Sequence, residues 1–216
     1  MKDQLKDEFL GFYGPYTINA QDKNEVKLYR VSLLICGLGY FLGISQWILL
    51  GPSYAWLWLI PMTLGLGSCL KWIHIYIKIL HQLLQLSWII GCIGILALLF
   101  NYGGNNLLSE LSLNPLLTIA IGPFFISLTG LGFKEFFCFR KPEAIGLTFL
   151  LPITLISHIA HILSGRIIMG MLLTSSILLL LLAIRKLGSD PSVDIGDKSV
   201  FEYLKKQKAS NSKINK

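Results

Sequence analysis

The sequence predicts an all-α fold: a polytopic membrane helix bundle of about six transmembrane helices, with one further amphipathic helix at the interface. Composition is the first reason. Of 216 residues 53% are hydrophobic and 14% charged, against roughly 25% charged in ordinary soluble domains, and the mean hydropathy is +0.61. The second is that the apolar residues come in runs of about 20, the length a helix needs to cross a bilayer core. The third is that charge lies between these runs. A net charge of +7 therefore does not point to nucleic acid, because Lys and Arg flank the apolar runs as membrane topology requires. The expected partner is the lipid bilayer.

Residues 1–30 read as a polar N-terminal head without the short apolar core of a cleavable signal peptide. Phe9, Leu10, Phe12, Tyr13 and Tyr16 make it aromatic, and Gly11, Gly14 and Pro15 prevent a continuous helix. Such side chains suit the headgroup region, or a docked partner. Asp22 and Glu25 have capping-box spacing, which starts a helix leading into the first span.

Span 1 is Val31–Leu50, with Gly39 and Gly43 in a GxxxG pattern that lets helices approach closely. A short Gly51-Pro52-Ser53 turn leads to span 2, Tyr54–Leu70, which opens on Tyr54, Trp56 and Trp58 and contains Pro61. In Lys71–Gln85 the polar residues Lys71, His74, Lys78, His81, Gln82 and Gln85 recur at spacings of three and four. That stripe predicts the interfacial helix, with its histidines toward water rather than on a metal.

Span 3 is Leu86–Tyr102. The connection Gly103–Asn114 has no Lys or Arg, and span 4 is Pro115–Phe133, interrupted at Gly122-Pro123. Span 5 is Ala144–Ser164, preceded by Pro142 and Glu143, both suited to a helix start. Gly165-Arg166 turns into span 6, Ile167–Ile184, so the membrane domain covers 31–184. Residues 185–216 form a basic tail, with a capping box at Ser199 and Glu202 and a short helix expected over 200–208. The composition of 209–216 is that of a disordered end. With six spans, eighteen of the nineteen basic residues fall on one side and Arg166 alone on the other, which puts both termini in the cytoplasm.

Two groups of residues stand out. His158 and His161 are the only ionisable side chains inside a span, with Ser157 and Ser164 adding polarity nearby, and residues three apart share a helix face. Interhelical hydrogen bonding explains them, and a metal or pigment ligand site is the alternative. His158 lies about 21 Å along its helix from the cytoplasmic start, too deep for His74 or His81 to complete a site. No cofactor is predicted on this basis. The second group is the loop 134–143, where Lys134, Glu135, Phe137, Cys138, Phe139 and Arg140 crowd together. Cationic neighbours activate a thiol, but aromatic seating and lipid-facing charge explain the loop as well. No nucleotide, zinc-protease or nucleophile motif occurs, and the spans carry no Asp, Glu, Lys or Arg, which weighs against ion-coupled transport.

Tyr16-Thr17-Ile18, Asp22, Glu25-Val26 and Tyr29-Arg30, taken with Phe133-Lys134-Glu135 and Phe137-Cys138-Phe139, resemble an uncharacterised family of cyanobacterial and plastid integral membrane proteins. The resemblance implies a thylakoid or plasma membrane and brings no catalytic residues. The chain reads first as a non-enzymatic factor for assembling or maintaining a photosynthetic membrane complex, with that complex's subunits as partners. A small-solute facilitator or channel is the alternative, supported by the Gly and Pro breaks. A cofactor-binding protein using the span 5 histidines is the third.

Overall fold

A 31-residue helix, α1 (Ala20–Leu50), sets the frame of the computed structural model, which describes residues 7–73, 77–190, 194–195 and 198–200. Its N-cap is Asn19: the Asn19 side chain accepts from the Asp22 amide, and Asp22 accepts from the Asn19 amide, both at 2.9 Å. The capping box thus falls one turn earlier than the expected Asp22 and Glu25 pair. Asn is as good a cap as Asp, and the earlier start adds a helical turn.

The head before α1 is a hairpin of β1 (Asp7–Gly11) and β2 (Gly14–Ile18), with Phe9 opposite Tyr16 and Gly11 opposite Gly14. The breaker residues that exclude a helix here make the turn, with Gly14 at φ +131. The sequence reading gave no strands to this segment.

Among the described residues five helices are long and apolar enough to cross a membrane: α1, α3 (Lys78–Tyr102), α5 (Thr118–Phe139, counted from Pro115 with its preceding 3-10 turn), α6 (Pro142–Ile159) and α7 (Gly165–Leu187). The shorter α2 (Leu59–Trp72) follows a 3-10 turn at Ala55–Trp58. In the connection after α3, α4 (Gly104–Leu113) forms a ten-residue helix. The long helices and α2 close a ring. Round it, α1 lies between α2 and α7, α6 between α7 and α5, and α3 between α5 and α2. Glycines make the α1–α2 seam: a Cβ at Gly65 would sit 2.6 Å from the Cys36 amide nitrogen, and one at Gly39 2.9 Å from that of Met62. The ring's centre is filled by Leu33, Cys36, Leu66, Leu128, Leu147, Leu151 and Leu179, all buried.

Three expected boundaries move. Residues 71–85 are not one helix. Lys71 and Trp72 finish α2, Ile73 and Ile77 are extended, and Lys78 begins α3; His74 lies outside the described residues. The polar stripe is used internally, since His81 Nε2 lies 2.6 Å from the Leu70 carbonyl oxygen and the Gln85 amide donates to that oxygen at 3.3 Å. The polar groups thus cover a carbonyl that the end of α2 leaves open. Next, α5 does not stop at Phe133. It continues to Phe139 because no Gly or Pro intervenes, and Arg140, at φ +50, caps it. Finally, α6 ends at Ile159, five residues short of the expected span end, and His161 turns the chain at φ +53. The tail helix and the end expected over 200–208 and 209–216 fall, past Val200, outside the described residues.

Candidate functional site

Both ends of the ring carry chemistry. At the end where α1 starts and α7 finishes, Glu135 of α5 is wholly buried. Its Oε2 accepts from Lys186 Nζ at 2.6 Å, and its Oε1 from Tyr29 Oη at 2.6 Å and Lys134 Nζ at 3.1 Å. Lys186 also donates to Asp194 at 2.5 Å. Asp194 in turn accepts from Arg30 Nε at 2.7 Å, while Arg30 donates to the backbone oxygens of Ser189 and Asp190 at 2.6 and 3.0 Å. Both ammonium groups stand over Phe139, at 4.6 Å for Lys134 and 4.5 Å for Lys186. Buried charges persist only when paired and hydrogen-bonded, and this network supplies both. It ties α1, α5 and α7 together.

Residues of the hairpin and the start of α1 meet residues that follow α7 round the same cluster. Lys198 pairs with Asp22 at 2.6 Å, the Tyr13 amide donates to Ser199 Oγ at 3.0 Å, and Ile195 packs against Ile18 and Val26. Nearby, Arg185 donates to Glu143, at the start of α6, at 3.0 Å.

At the other end the ring encloses a cavity of about 650 Å³, within the range of roughly 300–1,000 Å³ typical of small-molecule sites. Tyr40, Phe124 and Phe125 form its floor. Trp58 and Met62 line one wall, Leu107, Leu111 and Ser112 of α4 another, and His158 and Arg166 stand near its rim. Ile48, Ser112, Arg166 and Gly170 are exposed where they line it, so the space is open at this end. Beneath the floor, the Tyr40 and Ser175 hydroxyls share a hydrogen bond of 2.7 Å, and the leucine core separates cavity from charge network.

The residues singled out from sequence divide between these places. Ser157 is buried on α6 and gives its carbonyl to the Ile162 amide at 3.0 Å. His158 lines the cavity, half-buried, with Nε2 3.0 Å from the Leu111 carbonyl oxygen. His161 is exposed in the turn beyond α6 and lines no part of the cavity. The two histidines therefore do not share a helix face as expected, because the helix ends between them. Among the described residues no group of three or more His, Cys, Asp or Glu comes together.

Lys134 and Glu135 are core residues of the charge network rather than loop residues. Phe139 supports them, while Phe137 is exposed and stacks on Phe133 with ring centres 5.8 Å apart. Cys138 is an exposed free thiol and Arg140 an exposed helix cap. Sequence reasoning missed Tyr29, Arg30, Lys186 and Asp194. The signal available was that each ionisable group lies beside an apolar run, where a charge needs a partner.

The model of the family described as "Uncharacterized integral membrane protein (DUF2301)" matches residues 68–203. The chain belongs to this family. The match spans Glu135, Lys186, Asp194, His158 and Arg166, and so takes in most of the charge network and the cavity rim. An uncharacterized protein of Haemophilus influenzae is 30% identical over 183 residues, covering 84% of this chain and 92% of its own length. That relative comes from a proteobacterium, so a restriction to cyanobacteria and plastids is not shown, and a photosynthetic membrane does not follow from membership. No solved structure matches the chain. What the family establishes is an integral membrane protein.

Proposed function

We propose that the chain crosses the membrane six times with both termini in the cytoplasm, and that it is a facilitator-type protein holding a small apolar or amphipathic molecule in its central cavity. The observation that carries this is the cavity itself, open at the end away from the termini and closed toward them by the leucine core and the charge network. The sixth crossing is α2 with its preceding 3-10 turn, a stretch of about 29 Å at the usual helical rises. The pairing of Arg30, in the first turns of α1, with Asp194, beyond α7, supports an even number of crossings between them. The basic residues crowded at that end favour its being cytoplasmic. A lining of Trp, Phe, Leu and Ile selects apolar surface in the solute, with His158 and Ser112 as polar contacts.

Native mass spectrometry of protein released from its own membrane tests this. A bound small molecule is expected on the wild type and lost from Met169→Trp, which fills a half-buried position of the wall. A wild type that carries nothing and takes up no apolar solute in vesicles refutes the proposal.

The assembly-factor reading keeps one specific support. Leu10 and Phe12, at the hairpin tip, are 90% and 87% exposed, an apolar edge suited to a partner subunit. Affinity purification from native membranes distinguishes it: stoichiometric subunits of one complex that disappear with Leu10→Ser and Phe12→Ser favour assembly over solute binding.

A further inference from the structure

We infer that the cavity takes a single-chain amphiphile with an anionic head group, its chain between the helices and its head on Arg166; this rests on the solute-binding role proposed above. Arg166 is the one basic residue on its side of the bundle under the six-crossing topology, where Lys and Arg are ordinarily avoided. It sits in the first turn of α7, at the positive end of the helix dipole, where a cation is disfavoured. Among the described residues no carboxylate compensates it: Glu110, on the same side, accepts from Asn114 at 3.1 Å. A guanidinium in an unfavourable place, exposed and lining the mouth of an apolar cavity, matches an anion that arrives with the ligand.

The dimensions limit the rest of the molecule. From Tyr40 at the floor to Ile48 at the opening, α1 rises about 12 Å, which suits one hydrocarbon chain. The lining residues Trp58, Phe124 and Leu172 offer that chain no polar contact, whereas a two-chain phospholipid or a polar solute would leave groups unmatched. A carboxylate or a phosphate head satisfies Arg166 equally, so a fatty acid and an isoprenyl or alkyl phosphate share the required chemistry.

The test uses full-length protein in nanodiscs of zwitterionic lipid, with empty nanodiscs as the partition blank. Tritiated decanoate, decyl phosphate and decanol are titrated against the wild type, Arg166→Gln and Arg166→Lys. Saturable binding of decanoate or decyl phosphate is expected in the wild type, weakened roughly tenfold or more in Arg166→Gln and largely kept in Arg166→Lys. Decanol should bind all three proteins alike, which also certifies that the variants are folded. Whichever anion binds more tightly identifies the head group. If acid, phosphate and alcohol bind equally and Arg166→Gln changes nothing, the head-group assignment is overturned while the apolar cavity stands as a binding site. If none binds above the blank, both the assignment and the solute-binding role fail.

Discussion

Lys186 reaches Glu135 across 51 positions of sequence, with 2.6 Å between Nζ and Oε2 and both side chains almost completely removed from solvent. This contact joins the last transmembrane helix to α5, and through Tyr29 and Asp194 it draws in the first helix and the tail. It is therefore the place where the bundle is clamped at the end bearing the termini.

Removing one partner of such a pair leaves the other buried with only part of its compensation, Asp194 for Lys186 and Lys134 with Tyr29 for Glu135. Glu135→Gln and Lys186→Met should therefore each destabilise by up to about 3–5 kcal/mol, the cost of a fully stranded charge. The double variant should cost less than their sum, because neither removal then strands the other charge. Unfolding followed in mild detergent measures the cycle, and strict additivity would count against a direct pairing.

Asp194 bridges Arg30 and Lys186, so Asp194→Asn should loosen the tail from α1 without disturbing the distant cavity. Limited proteolysis is expected to cut after Gly188 many times faster in the variant, while the membrane helices remain protected. Unchanged cleavage would mean that the Ile195 contacts alone hold the tail.

The glycine seams predict steep steric costs. A Cβ at Gly94 of α3 would run into the Ala120 carbonyl of α5, and one at Gly65 would meet the Cys36 backbone. Because backbone atoms cannot turn aside as a side chain can, Gly94→Ala and Gly65→Ala should each destabilise by about 1–3 kcal/mol or more. Gly170→Ala, where nothing lies near the added methyl, should be nearly neutral by the same thermal measurement.

Cysteine accessibility should separate the four thiols. Cys138 is exposed near the charge network, whereas Cys36 and Cys69 are buried in the core. A membrane-impermeant maleimide is expected to label Cys138 only when it reaches the cytoplasmic face, and to leave Cys36 and Cys69 untouched until the protein unfolds. Labelling of Cys138 from the opposite face would reverse the proposed orientation.

How far the sequence could be read depended on the range of the forces involved. Long apolar runs report themselves, since each helix needs its own apolar residues to exist in lipid; hence α1, α3, α5, α6 and α7 lie where hydropathy places long segments. Helix ends are decided by single contacts and were read less well. Asn19 displaced Asp22 as the cap, and the chain extends at Ile73 although the stripe from Lys71 to Gln85 runs through it. The charge network was legible only in part, as Lys134 and Glu135. Its other half comes from residues 29–30, 186 and 194, and no local spacing links positions more than a hundred residues apart. His158 and His161 show the converse: three-residue spacing joins them only while the helix lasts, and it stops at Ile159. The cavity left only the Gly and Pro breaks as a sequence signal, because most of its lining is the same Leu, Ile, Phe and Trp that fill a solid core.

Access to the cavity is the claim on which the rest depends. In a Cys138→Ser background, Thr118→Cys places a thiol on the cavity wall, at a position shielded from bulk solvent. A small charged methanethiosulfonate reagent applied to oriented vesicles should modify it from the side opposite the termini, and Met169→Trp should block that reaction. Modification solely from the side of the termini, or rates unaffected by Met169→Trp, would contradict a cavity open at one end and clamped at the other.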